Sequence, residues 1–129
     1  MKIGLNSVLV DDQAKALAFY ADVLGFVKKF DIDMGEARWL TVVSPDAPDG
    51  CELLLEPNMH PAAKVFQAAI YKDGIAATAF EVDDIKAEYA RLTAAGVVFK
   101  AEPAETGGTW IAMFDDSCGS YIQLYQKPA

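Results

Sequence analysis

Residues 10–26, VDDQAKALAFYADVLGF, read as the end of a strand, an acidic turn and a helix stopped by glycine. Asp12 takes the N-cap position. Ala16, Phe19, Tyr20, Val23 and Leu24 recur behind it at helical spacing, and Gly25 supplies the left-handed residue that ends a helix. The same grammar returns at residues 82–97, VDDIKAEYARLTAAGV. The triplets beginning at Val10 and Val82 lie 72 positions apart, and the stops Gly25 and Gly96 lie 71 apart, so the second helix has lost one residue. One module is written twice.

Residues 2–10, leading into the first copy, alternate with Val8 and Val10 on one side and Leu5, Ser7 and Leu9 on the other. Both sides are largely apolar, as befits a strand inside a sheet. Beyond Gly25, strands are expected at 27–32, 37–44 and 51–56, separated by Met34-Gly35-Glu36 and by the turn-rich run from Pro45 to Gly50. The first module, about 1–57, is therefore βαβββ. A connecting helix is predicted over about 58–75, with Pro61 near its first position, Ala62, Val65, Phe66 and Ala69 on one face, and Gly74 at its end.

The second module, about 76–127, repeats the order. It has a strand at 76–82, a helix at 84–95 with Ile85, Tyr89 and Leu92 inward, and strands near 97–101, 109–114 and 120–125. Trp39-Leu40 echoes Trp110-Ile111, and the run Gly50 to Leu55 echoes Gly119 to Leu124. A chain of 129 residues has room for one domain, so 1–129 is read as a single α+β domain whose two repeats share a core.

Composition narrows the partners. Hydrophobic residues make up 53% of the chain, yet no apolar run approaches the ~18 residues of a membrane span. The start, MKIGLNSVLV, has no basic segment, apolar core and small-residue cleavage site, so no signal peptide is read and a cytoplasmic address is expected. Cys51 and Cys118 lack CxxC spacing and are expected as free thiols. A net charge of -8 without a Lys/Arg stripe excludes nucleic acid as partner. An acidic surface suits a cationic small ligand, and also serves solubility alone.

The two Val-Asp-Asp helices and the closing strand DDSCGSYIQLYQ, which carries an Asp-x-x-Gly ending, together resemble the vicinal oxygen chelate superfamily of glyoxalase I, bleomycin-resistance proteins, fosfomycin-resistance enzymes and extradiol dioxygenases. The resemblance covers nearly the whole chain. It implies two paired βαβββ modules whose eight strands form an open, U-shaped mixed sheet around a pocket, with helices outside, and a homodimer. Metal-using relatives place a ligand on the first and fourth strand of each module. Carried over, those positions are Leu5, Leu54, Ala77 and Gln123. Three are hydrocarbon, and one amide oxygen cannot hold a divalent cation that needs several donors. No metal and no other cofactor is expected.

Strand parity gathers the candidate ligand-binding residues. Glu52, Leu54 and Glu56 share one face, as do Tyr121, Gln123 and Tyr125 in the other copy, with Ser7 on the corresponding side of the first strand. Two carboxylates, two phenols and an amide on mostly apolar walls are the makeup of a small-molecule site. Trp39 and Trp110 either plug the sheet or stack on a flat ligand. His60, the only histidine, precedes Pro61 and reads as a helix-entry residue; a shifted metal site with Glu52 or Glu56 would lack the family spacing. Asp11, Asp12, Asp83 and Asp84 read as turn and helix-start residues. Neither cysteine has a neighbouring base, Ser117 and Ser120 lack a glycine elbow, and Gly107-Gly108 is no phosphate loop. The expected function is a metal-independent small-molecule-binding protein that sequesters a cationic or aromatic ligand. The alternatives are a metal-dependent lyase, isomerase or dioxygenase, and a metabolite-sensing domain.

Overall fold

The computed structural model describes residues 1–129. The chain forms two compact units, residues 1–66 and 67–129. In the first unit, β1 (Leu5–Val10) leads into α1 (Gln13–Leu17), which runs on as a wider π-helical segment (Ala18–Val23), and then come β2 (Val27–Asp33), β3 (Arg38–Val43) and β4 (Glu52–Pro57). Helix α2 (Pro61–Lys72) carries the chain across the boundary. The second unit adds β5 (Ala76–Glu81), α3 (Ile85–Ala94), β6 (Ala104–Thr106), β7 (Thr109–Asp115) and β8 (Tyr121–Gln126). Each unit holds a four-stranded mixed sheet, ordered β1-β4-β3-β2 and β5-β8-β7-β6, with first and fourth strands parallel and the rest antiparallel. The α+β fold of paired βαβββ modules is the one the repeat implies.

The echoing triplets do the same job in both units. Asp12 and Asp84 have extended backbones, and each carboxylate accepts from the N–H three residues on, Lys15 at 3.0 Å and Ala87 at 3.1 Å. These are side-chain N-caps, each satisfying a donor that the first helical turn leaves open. The stops are equally alike: Gly25 has φ +94° and Gly96 φ +91°.

In the first unit the helix-facing core is Val8, Val10, Ala16, Tyr20, Leu40, Val42, Leu53 and Leu55; in the second it is Ile85, Leu92, Val97, Ala112, Phe114, Ile122 and Leu124. Each large side chain buried there stabilises by about 1.5–3 kcal/mol. The π-helical stretch departs from the expected regular helix. Leu24 N–H donates to Phe19 and Phe26 N–H to Tyr20, which widens the last turns while Tyr20 stays fully buried.

One other expectation is corrected. Residues 97–101 form no named strand. Lys100 N–H donates to Met113, Asp115 N–H to Val98, and Phe99 bridges Phe114, after which Pro103 interrupts the run and β6 begins only at Ala104. Proline has no N–H for a ladder, so pairing does not run on directly from the Phe99 bridge into β6. The apolar stripe of α2 is also not its packing face. Val65 and Phe66 are exposed, whereas Gln67 is buried.

Candidate functional site

The register of each sheet fixes which side chains share a surface. In the first unit, Ser7 pairs with Leu54 and Leu54 with Thr41, while Leu5 and Leu9 pair with Glu52 and Glu56. Ser7, Trp39, Glu52 and Glu56 thus lie on the face turned away from the helix-facing core. Glu52 is half-buried and Glu56 exposed. The hydroxyl of Thr41, itself fully buried, donates to Glu52 Oε1 at 2.8 Å and holds that carboxylate against the sheet. On the helix side, Gln13 clips β3 to β4: its amide donates to Arg38 O and Leu55 O and accepts from Arg38 N–H. There the Arg38 guanidinium, hydrogen-bonded to Asp31, holds the Asp31 carboxyl below its ordinary value.

In the second unit, Gln123 pairs with Ala79 and Met113, Tyr121 with Asp115, and Tyr125 with Glu81 and Ile111. Tyr121, Gln123 and Tyr125 therefore share the face away from α3. The Tyr125 hydroxyl donates to Glu81 Oε1 at 3.3 Å, and Lys127 hydrogen-bonds and ion-pairs with the same carboxylate at 2.9 Å, keeping the Glu81 carboxyl below its ordinary value. Trp110 stands apart. It pairs with Gln126 and shares the side of Ala112 and Phe114, with the Lys86 ammonium of α3 4.5 Å from its ring centroid. Trp39 and Trp110 are thus not equivalent. Because Thr41 pairs with Leu54 as Met113 does with Gln123, the counterpart of Trp39 is Ile111, and matching the tryptophans by identity is one residue out of register.

A turn positions β8. Asp116 is fully buried, and its Oδ1 accepts from Cys118 N–H at 2.7 Å and Ser120 N–H at 3.0 Å. Gly119 lies at φ +102°, a conformation open to glycine. From α2, Gln67 Nε2 donates to Cys118 O at 3.2 Å and to Ser120 Oγ at 3.1 Å. One helical turn on, the Tyr71 hydroxyl donates to Asp115 Oδ2 at 2.5 Å while its ring stacks on Tyr121, centroids 4.5 Å apart and 6° from parallel. The bond to Asp115 foremost, then that to Tyr121, pushes the Tyr71 phenol above its ordinary range.

Beside this turn, Lys100, Ala101, Ile111, Met113 and Gln123 line a cleft of about 230 Å³ that Gly74 borders. Of the expected site residues only Gln123 lines it. Lys100, Met113 and Gly74 were missed because they come from segments with no motif of their own.

The positions that resemblance assigns to metal ligands can be compared with the register. Ser7 and Ala79 are the partners of Leu54 and Gln123, and Ala77 falls at an irregularity between Ala76 and Thr78. Neither unit brings three His, Cys, Asp or Glu side chains together as a metal-holding group. His60 is engaged as a helix-start residue, its Nδ1 accepting from Ala62 N–H at 3.0 Å. The donors present do not fit a divalent cation, which needs several oxygen or nitrogen ligands. Both cysteines are free.

The sequence model of the glyoxalase/bleomycin resistance protein/dioxygenase superfamily matches residues 2–124. The uncharacterized protein YurT of Bacillus subtilis (strain 168) is 55% identical over 127 residues, covering 98% of this chain and all of YurT. Among solved structures, UcmS2 is 33% identical with a TM-score of 0.83, covering 97% of each chain. TnmS3, described as an antibiotic binding protein from Streptomyces sp. CB03234, is 29% identical with a TM-score of 0.76, covering 100% of this chain and 97% of its own. The chain belongs to the glyoxalase/bleomycin resistance protein/dioxygenase superfamily.

Proposed function

We propose that this chain is a metal-independent binding protein for a small, partly aromatic molecule, which it sequesters from solution rather than transforms. The observation that carries the reading is the pairing of Gln123 with an apolar cleft in a fold whose other ligand positions are hydrocarbon. Such a surface holds a ligand by burial and shape, and an amide aims it. The likeness to TnmS3, an antibiotic binding protein, supports the same class of activity. The family profile spans both units, so both are taken as one functional domain. A homodimer in the cytoplasm completes the proposal, and sedimentation equilibrium tests the assembly.

The carboxylates of the first unit would select for positive charge. Glu52, half-buried and fixed by Thr41, is the stronger candidate; Glu56, exposed, is screened by water. A thermal-shift screen of aromatic cations and neutral polycyclic compounds tests the reading, because a ligand at ~100 times its dissociation constant stabilises by about 2.7 kcal/mol. For a cationic hit, Glu52→Gln should weaken binding by about 2 kcal/mol and Glu56→Gln by under ~1 kcal/mol. A screen with no binder of either kind refutes the proposal. Affinity unchanged from the parent protein in both variants refutes the role of the carboxylates.

A further inference from the structure

Lys100 is a cation without a carboxylate. None of the chain's ion pairs includes it, although acidic residues outnumber basic ones nineteen to eleven. Its place is nevertheless well determined. Its backbone N–H donates to Met113 O at 2.8 Å, which fixes the residue against β7, and its ammonium lies 4.7 Å from the Tyr121 ring centroid. That ring is in turn stacked on Tyr71, whose hydroxyl is held by Asp115. Gly74 completes the setting, because a Cβ there would overlap Lys100 Nζ, and the φ of +71° also favours glycine. The ammonium therefore occupies space that a missing side chain leaves and an aromatic face borders.

Lys100 lines the cleft together with Ile111, Met113 and the Gln123 amide; Glu102 lines it too. The volume of about 230 Å³ is below the ~300–1,000 Å³ of pockets for whole drug-sized ligands, so it suits one or two rings. Attraction between an ammonium and an anion strengthens beside apolar walls, where water is partly excluded.

We propose that this cleft is a subsite for an aromatic anion, with Lys100 pairing its carboxylate or phenolate oxygen, Gln123 donating to a second oxygen, and Ile111 and Met113 covering the ring. This rests on the reading of the second unit as a small-molecule site and adds the charge it prefers there.

The probes are 1-naphthoate and its neutral isostere 1-naphthamide, titrated into the full chain and followed by calorimetry and backbone amide shifts. Naphthoate should bind about tenfold tighter than naphthamide, with shifts centred on Met113 and Gln123. Lys100→Met should abolish that preference, whereas Lys100→Arg, which keeps the charge, should retain most of it. Lys100 is exposed, so both variants should fold. Equal binding of the two probes overturns the anion preference alone and spares the small-molecule reading. An anion preference that survives Lys100→Met overturns the assignment to Lys100. Binding of neither probe removes the cleft as a ligand site, and the inference with it.

Discussion

Gln67 and Gly119 make a coupled pair, and the turn they share sets where β8 presents Tyr121 and Gln123. Replacing Gln67 by alanine removes donors to Cys118 O and Ser120 Oγ in a place where Gln67 itself is 4% exposed. Each buried acceptor left without its partner costs roughly 1–3 kcal/mol; water admitted by the truncation offsets part of this, so about 2 kcal/mol is expected. Gly119→Ala acts differently. Its φ of +102° is unfavourable for alanine by about 1–3 kcal/mol, and the new Cβ would lie 2.8 Å from Gln67 Nε2. The backbone part of that cost is present whatever stands at 67, but the collision needs the amide. The double variant should therefore be more stable than the sum of the single losses predicts, by roughly 0.5–2 kcal/mol, above the ~0.3–0.5 kcal/mol within which independent sites add. Urea unfolding of the four proteins reads this from their midpoints, provided the slopes agree. Additive losses would refute the geometry in which α2 is buttressed on the turn.

Tyr71→Phe should lower stability by about 1 kcal/mol at neutral pH. Because the native phenol is raised above its unfolded value near ~10, its contribution is complete below that pH and declines as pH rises further, so the gap to the phenylalanine variant should narrow as pH rises above about 10; a constant gap in denaturant titrations would contradict the bond to Asp115. Asp12→Ala and Asp84→Ala should each cost about 1 kcal/mol by thermal unfolding, and Asp→Asn at either site much less, since asparagine also caps.

The repeat made the fold legible because its markers are backbone requirements. An N-cap needs an acceptor at Asp12 and Asp84, and a left-handed stop needs glycine at 25 and 96. Strand parity likewise assigned Glu52 and Gln123 to the faces opposite Leu53 and Ile122, since a period of two leaves no other choice. Features that depend on how elements meet were not legible. Val65 is exposed and Gln67 buried, the reverse of the apolar stripe of α2, and the Gln67 amide meets two acceptors in the turn at Asp116. The π-helical widening leaves no mark on spacing. Trp39 and Trp110 invite pairing by name, whereas hydrogen-bond register sets Trp39 against Ile111 and sends Trp110 to the α3 side. The cleft depends on Gly74, Lys100 and Met113, brought together from a helix exit, a loop and a strand.

The central claim is that the chain holds a small molecule without a metal and without changing it. Its most direct test is to dialyse the protein against a strong chelator, titrate the best ligand from the screen by calorimetry, and analyse the recovered ligand by mass spectrometry. The account predicts unaltered affinity after metal removal and a ligand returned at its original mass. Binding that vanishes with the chelator and returns with a divalent ion, or a product of altered mass, would contradict it.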